Sequence, residues 1–206
     1  MIEAARRRFA RLATRLVVAR PGLWRVVRRP LTRVFDAIAP SWDDLRVTPQ
    51  HLAPLDAALA ALPGAPARAL DLGTGTGGGA RLIAARFPEA SVVGADFSAA
   101  MIREARTRAT GDRERYEVAD ATALPYEDGA FDLVAQLNMI PVFDEVARVT
   151  SPGGHVAMAF SRGPQTPIWV PLERIQAELE RRGFTHVANF SAGAGLALLA
   201  RRDPPA

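Results

Sequence analysis

Three aspartates in the 206-residue chain each follow a short apolar run that is typical of a buried strand: Asp71, Asp96 and Asp120. In a parallel sheet the carboxyl ends of the strands meet at one edge, so we expect these three carboxylates along one rim. A glycine-rich stretch, residues 73–79, follows Asp71 almost directly. Such a loop lets a ligand approach the backbone beside a helix N-terminus. These residues therefore predict a binding site for a nucleotide-like ligand.

The loop glycines Gly73, Gly75 and Gly78 satisfy the pattern G-x-G-x-x-G, which alone fits several nucleotide-binding folds. Asp71 disfavours a dinucleotide as the ligand, because a carboxylate so close to the loop repels a pyrophosphate. It attracts a ligand ammonium group through a charge-assisted hydrogen bond of roughly 1.5–3 kcal/mol. Asp96 ends the second apolar run, where an acid can hold a ribose diol.

Asp120 and Ala121 follow the third apolar run and offer a carboxylate and a backbone amide to an adenine edge. A second interpretation stays open for two of the acids. Asp96 precedes a predicted helix that starts near Ser98, and Asp120 precedes a short turn, so each could act as an N-cap.

The composition excludes several kinds of chemistry. All 26 basic side chains are arginine, there is no cysteine, and there are three histidines. Without lysine there is no Schiff-base chemistry and no P-loop lysine. Without cysteine there are no disulfides, thiolate nucleophiles or cysteine zinc sites, and we predict no metal site.

After residues 63–66, short apolar runs alternate with stretches whose apolar residues recur every three or four positions, as in a helix. These elements must position the three acids. This alternation predicts an α/β fold with a doubly wound, mostly parallel sheet. The last two predicted strands, residues 185–190 and 196–200, have only a glycine-rich turn between them and must be antiparallel. We predict one domain over residues 46–206 and a separate arm over residues 1–45.

Four stretches in order, ALDLGTGTGGGARLIAARFP, VVGADFSAAMIREAR, VADATALPYEDGAFDLV and FDEVARVTSPGGHVAMAF, cover about residues 67–160. With them the sequence resembles the class I S-adenosylmethionine-dependent methyltransferases. Residues 34–43, VFDAIAPSWD, are similar to the segment before the core in the quinone-biosynthesis subgroup. The resemblance implies a Rossmann-like sheet of seven strands, the last one antiparallel, and S-adenosylmethionine as cofactor.

The resemblance also implies roles for individual residues. Gly73, Thr74 and Gly75 would line the methionine moiety, with Asp71 near its ammonium group. Asp96 would bind the ribose hydroxyls. The remaining implied contacts are with the adenine, by Phe97, Met101, Asp120 and Ala121, and with the methionyl end near the acceptor, by Gln136. For Met101 an ordinary core position is an open alternative.

No residue identifies itself as a general base, so the catalytic residues stay unknown. His51 precedes the core and could reach the site, while His155 and His186 lie at strand starts where structural roles are usual. Asp43 and Asp44 are weak candidates for an acid on the acceptor side. The segment between the fourth and fifth strands is short for this family, which leaves the arm as the main candidate for a lid.

The arm carries the basic charge, since residues 1–35 hold ten arginines against Glu3 alone. Apolar residues share one face of a predicted helix: Ile2, Ala5, Phe9, Leu12, Leu16 and Ala19. Pro21-Gly22 and Pro30 are predicted to end helical segments. A packed cap, a helix on anionic lipid and an organelle transit peptide stay open. Nucleic acid is disfavoured, because the rest of the chain has more acids than arginines.

We therefore expect methyl transfer from S-adenosylmethionine to a small-molecule or lipid-soluble acceptor. We expect a cytoplasmic protein with a peripheral membrane contact through residues 1–35. One alternative is an NAD(P)-binding oxidoreductase, although Asp71 stands where that class has a hydrophobic residue, and the short-chain type needs a lysine. The other is a non-catalytic module that binds a cofactor or associates with a membrane.

Overall fold

The computed structural model describes residues 2–204, and the side chains of residues 10–20, 22–44 and 47–204. Its centre is one seven-stranded sheet in the order β3-β2-β1-β4-β5-β7-β6. The strands are β1 (Arg68–Leu72), β2 (Ser91–Asp96), β3 (Glu114–Val118), β4 (Phe131–Leu137), β5 (Thr150–Phe160), β6 (Phe184–Ala192) and β7 (Gly195–Arg202). Strands β1 to β5 pair in parallel, and β7 is antiparallel to both β5 and β6. The predicted sheet is confirmed.

Helices cover both faces of the sheet. They are α1 (Ile2–Ala19), α2 (Trp24–Ile38), α3 (Trp42–Arg46), α4 (Pro49–Ala60), α5 (Gly78–Arg86), α6 (Ala99–Thr107), α7 (Phe143–Val149) and α8 (Leu172–Glu180). One face buries apolar residues of α4, α5 and α6, and the other buries those of α7 and α8. Side chains alternate between the two faces along each strand, so adjacent Leu133 and Val134 of β4 enter opposite cores.

The prediction that Pro30 ends a helical segment is wrong, because α2 runs through it to Ile38. A proline inside a helix removes one backbone hydrogen bond and costs about 3 kcal/mol. Packing on either side of Pro30 offsets that loss, since Trp24 is buried and Phe35 packs in a small core cluster with Ala39 and Met101. Pro21-Gly22 does interrupt the helix, in a short 3₁₀ turn between α1 and α2.

Helix α1 buries a different face from the apolar one in the sequence pattern. Its buried side chains are Ala13, Thr14 and Val17, whereas Leu12 is 57% and Leu16 44% exposed. Ala19, also predicted on that face, is exposed, and the remaining predicted members, Ile2, Ala5 and Phe9, lie outside the described side chains. Within the described part of the chain, no helix is both long and apolar enough to cross a membrane.

Candidate functional site

The glycine loop turns the chain from the end of β1 into α5 with backbone angles that favour glycine. Gly73, Gly75 and Gly77 have φ values of 76°, 55° and 87°. In this left-handed region a Cβ is strained, so these positions suit glycine. The amides of Gly73 and Thr74 both donate to the carbonyl of Ala95 in β2, at 2.8 and 3.0 Å. The loop is thereby held over the carboxyl ends of β1 and β2.

Asp71 is buried beneath this loop. Its carboxylate accepts a 2.6 Å hydrogen bond from the Thr74 hydroxyl, and the Ala80 amide also donates to it. Burial raises the pKa of Asp71 to about 6. A Cβ on Gly79 would lie 2.7 Å from both carboxylate oxygens, so α5 approaches Asp71 closely because residue 79 is glycine. Asp71 therefore fixes the loop to the start of α5, and its contact with a ligand ammonium stays a prediction.

Asp96 ends β2 and holds the loop from the other side. It accepts hydrogen bonds from the amides of Gly75 at 3.0 Å and Ser98 at 2.9 Å. Burial raises its pKa to about 6, and the nearby charge of Asp36 in α2 adds to the increase. The cap of α6 is Ser98, whose hydroxyl accepts from the Met101 amide at 3.1 Å. Asp96 is therefore not the side-chain cap of this helix.

Asp120 follows β3 and is engaged by the arm. Its carboxylate accepts from Trp24 Nε1 at 2.9 Å and pairs with Arg28 at 2.5 Å, while the Thr122 amide and hydroxyl also donate to it. Partial burial opposes ionisation, but these donors and the Arg28 charge together lower the pKa of Asp120. Ala121 beside it is buried in the core. The predicted adenine acid is thus covered by α2.

The two residues predicted to flank the adenine also meet the arm. Phe97 packs edge-on against Trp24, with ring centroids 5.2 Å apart, and against Phe35 at 5.6 Å. Met101 is 1% exposed and packs in a small core cluster with Ala39 of the arm. Met101 therefore lies in a core cluster, and its contact with the adenine stays a prediction.

Asp43 makes a contact that sequence reasoning missed. Its carboxylate accepts from the Thr76 hydroxyl of the glycine loop, and it pairs with Arg81 of α5 at 3.1 Å and Arg108 at 3.3 Å. The neighbouring Trp42 lies over the loop, 3.4 Å from where a Cβ of Gly75 would be. Asp43 therefore joins the arm to the glycine loop and α5, and its role towards an acceptor stays a prediction.

Gln136 ends the buried part of β4 with both polar atoms of its side chain unsatisfied. The residue is 2% exposed, and neither Nε2 nor Oε1 has a hydrogen-bond partner. Leaving such groups unpaired costs about 1–3 kcal/mol each, so buried cases call for a specific reason. Near this strand end, Met139 packs on the loop, with its sulfur 2.7 Å from where a Cβ of Gly73 would be.

The three histidines lie in α4, β5 and β6. His155 in β5 pairs with Arg201 of β7, and burial together with the Arg201 charge lowers its pKa. His186 is exposed in β6, and His51 lies in the first turn of α4. Among the residues that the structure describes, no cluster of His, Cys, Asp and Glu could hold a metal ion.

Parallel strands in the order 3-2-1-4-5, an antiparallel β7 between β5 and β6, and acids flanking a glycine loop define the class I methyltransferase fold. Residues 69–154 match the family model described as a methyltransferase domain. A methyltransferase in complex with the Haloferax volcanii Trm112 activator superposes with a TM-score of 0.70 at 21% identity, covering 82% of this chain and 98% of that one.

Two methyltransferases are similar to the chain in sequence. The chain is 43% identical to a demethylmenaquinone methyltransferase of Thermus thermophilus over 48% of this chain and 49% of that protein. It is 37% identical to a malonyl-[acyl-carrier protein] O-methyltransferase of Halorhodospira halophila over 68% of this chain and 50% of that protein. The chain thus aligns with about half the length of these curated relatives. It belongs to the class I S-adenosylmethionine-dependent methyltransferase family.

Proposed function

We propose that the protein transfers the methyl group of S-adenosylmethionine to a small-molecule or lipid-soluble acceptor, with residues 46–206 as the methyltransferase domain. The observation that carries this proposal is the loop of left-handed glycines held between Asp71 and Asp96 at the ends of β1 and β2. The relatives named for quinone and malonyl-[acyl-carrier protein] methylation support a small-molecule acceptor.

The residues present fit S-adenosylmethionine. Gly73 and Gly75 would leave room for the methionine moiety once Met139 and Trp42 move off them, and Thr74 would also line it. Asp96 would accept from the ribose hydroxyls. The unsatisfied amide of Gln136 is suited to the methionyl end. At the adenine end, the predicted contacts are Phe97, Met101, Asp120 and Ala121.

When bound, the donor supplies a methyl group already activated by a positively charged sulfur. Transfer would need the nucleophilic atom of the acceptor, the methyl carbon and the sulfur to lie in line. The protein's part is to align these atoms, and such positioning is worth about 7–11 kcal/mol. His51 lies in the first turn of α4, and His155 and His186 lie in β5 and β6. We assign none of them as a general base.

Donor binding requires the protein's own side chains to move. Met139 packs on Gly73, Trp42 covers Gly75, and Trp24 and Arg28 engage Asp120. These contacts come from the arm and from the segment after β4. A non-catalytic cofactor-binding module is a second candidate. The short segment between Leu137 at the end of β4 and Thr150 at the start of β5 favours it, because it leaves little chain to cover an acceptor.

Calorimetry with the full chain separates these functions. We expect S-adenosylmethionine to bind and NAD not to bind. Asp96→Ala should weaken binding of S-adenosylmethionine at least about tenfold, because a charge-assisted hydrogen bond to a ribose hydroxyl is lost. Asp112→Ala, which removes an exposed acid, is the matched control and should bind as the wild type does.

Failure of S-adenosylmethionine to bind would overturn the proposal. Equal losses in the Asp96 and Asp112 variants would remove Asp96 from the site. If the donor binds, incubation of labelled donor with a cell extract then tests turnover. Labelled product supports the enzyme, and its absence across extracts supports the non-catalytic module.

We further propose that the protein is cytoplasmic and contacts anionic membranes through residues 1–35. The exposed Leu12 and Leu16 of α1 lie beside the exposed arginines Arg11 and Arg15. A helix with this combination suits a membrane surface. A lipid-soluble acceptor would be reached from such a position.

A further inference from the structure

A cleft of about 710 Å³ opens at the carboxyl end of β5, outside the residues assigned to the donor. Its walls are the first turn of α4, Ser161 and Arg162 after β5, and the β6–β7 turn at residues 192–194. This volume is within the usual range for small-molecule sites. Strand β5 is two strands from β1 in the sheet, so the cleft begins about 10 Å across from the glycine loop.

Close backbone contacts fix the walls of this cleft. A Cβ on Gly195 would lie 2.6 Å from Pro54, so the β6–β7 turn packs directly on α4. A Cβ on Gly163 would lie 3.2 Å from the carbonyl of Ala194, which brings the segment after β5 against the same turn. These contacts join the walls of the cleft to one another, and none of the described residues that line it belongs to α1 or α2.

Asn138 holds the segment that carries Arg162. Its φ is 53°, a left-handed angle that is uncommon outside glycine. The side-chain nitrogen of Asn138, Nδ2, donates to the Ser161 hydroxyl at 2.9 Å. Its side-chain oxygen, Oδ1, accepts from the backbone amide of Ser161 at 2.9 Å. Such strained positions persist where surrounding contacts over-determine them, often at functional sites. The pair ties the ends of β4 and β5 together and sets the position of Arg162.

The described lining of the cleft includes an arginine and no acid, whereas residues 36–206 as a whole have more acids than arginines. Arg162 is exposed and has no ion pair among the described residues, and no Asp or Glu lines the cleft. Some other body arginines are in ion pairs, as Arg148 is with Glu145 and Arg182 with Glu178. Residues 36–206 contain more acids than arginines, so general charge does not explain this local excess. Apolar lining comes from Pro49, Ala53, Ala192 and Ala194.

We propose that this cleft binds the acceptor through an oxyanion, a carboxylate or phosphate monoester, that pairs with the guanidinium of Arg162. The inference rests on the proposed function, because it takes the methyl acceptor as the occupant of the cleft. A guanidinium binds both anions with two parallel hydrogen bonds. The apolar lining would contact the carbon skeleton of the acceptor.

The test measures binding of matched eight-carbon probes to the full chain by ligand-observed NMR titration. Octanoate and octyl phosphate carry the anion, and octanamide is the neutral counterpart. We expect at least one anion to bind roughly tenfold more tightly than octanamide, and this preference to disappear in Arg162→Gln. The anion that is preferred identifies the carboxylate or the phosphate as the group recognised.

Arg174→Gln is the matched control, because Arg174 is an exposed arginine on α8 with no ion pair among the described residues. It should keep the wild-type preference. Equal affinity of the wild type for the anions and octanamide would overturn the proposal. Equal losses in the two variants would also overturn it, since they would indicate general charge attraction.

The same samples separate this inference from the proposed function. Calorimetry shows whether each variant binds S-adenosylmethionine, and Arg162→Gln should bind it as the wild type does. Donor binding without an anion preference would sink the cleft proposal alone. An Arg162-dependent anion preference without donor binding would instead overturn the proposed function and leave an anion-binding cleft.

Discussion

Asp96 is the residue whose ionisation should control donor binding. Two backbone amides already donate to its carboxylate, yet burial raises its pKa to about 6. The folded protein therefore favours the protonated acid relative to the unfolded chain. Stabilisation of the fold by this proton is complete below the ordinary value of 3.8 and is lost as the pH rises through about 6. The ionised form, which can accept from two ribose hydroxyls, dominates above pH 6.

We predict that affinity for S-adenosylmethionine increases about tenfold between pH 5 and pH 7. At pH 5 only about a tenth of Asp96 is ionised, and the apparent affinity falls by that fraction. Calorimetry across this range measures the effect. Asp96→Asn should bind more weakly, with a smaller dependence on pH. A wild-type affinity that does not change over this range would show that Asp96 does not need its charge to bind the donor.

At the scale of elements, the start of α5 depends on a glycine. A Cβ at residue 79 would lie 2.7 Å from the carboxylate oxygens of Asp71, which is buried and cannot move towards solvent. We predict that Gly79→Ala lowers the free energy of unfolding by about 1–3 kcal/mol, the usual cost of overpacking. Chemical denaturation measures it. Gly111→Ala, with open space around its Cβ, is the control. Equal stability of the two variants would contradict this account of the close approach.

Helix α2 should compete with the donor for Asp120. The pair between Arg28 and Asp120 is partly exposed, and such pairs contribute about 0.2–1 kcal/mol. We predict that Arg28→Gln strengthens binding of S-adenosylmethionine up to about fivefold, because Asp120 is released for the adenine edge. Arg29→Gln, an exposed neighbour without an ion pair among the described residues, should change nothing. Weaker binding in Arg28→Gln would show instead that Arg28 helps to form the donor site.

The strands and the glycine loop could be predicted from the sequence, whereas the contacts between the arm and the rest of the chain could not. Strand ends and the glycine loop follow from local patterns, and the antiparallel β7 follows from the short turn before it. The pair between Trp24 and Asp120 joins residues 96 positions apart, which no local pattern reports. The Asp43–Thr76 contact is missed for the same reason. Pro30 misled the prediction because tertiary packing maintained a helix that its own propensity opposes.

At the scale of the whole molecule, charge and apolar exposure are concentrated in the same place. Residues 1–35 hold ten arginines against Glu3, while the body has more acids than arginines. The packed face of α1 contains Ala13, Thr14 and Val17, so the larger Leu12 and Leu16 remain at the surface. If the arm were only a cap packed on the domain, there would be no reason for Leu12 and Leu16 to be exposed. The arm contacts Asp120 through α2 and the glycine loop through α3, and it leaves an apolar strip of α1 for another surface.

We predict that the full chain sediments with phosphatidylglycerol vesicles and much less with phosphatidylcholine vesicles, and that added salt weakens this binding. Burying two leucine side chains in the interface contributes about 3 kcal/mol or more, so the double substitution Leu12→Ser and Leu16→Ser should weaken binding at least about tenfold. Val118→Ser is the matched control, because Val118 is 54% exposed on β3. Both variants change only exposed side chains, so both should keep the wild-type stability. Equal sedimentation of the double variant and the wild type would show that these leucines do not contact lipid, and equal binding to both vesicle types would remove the electrostatic part of the proposal.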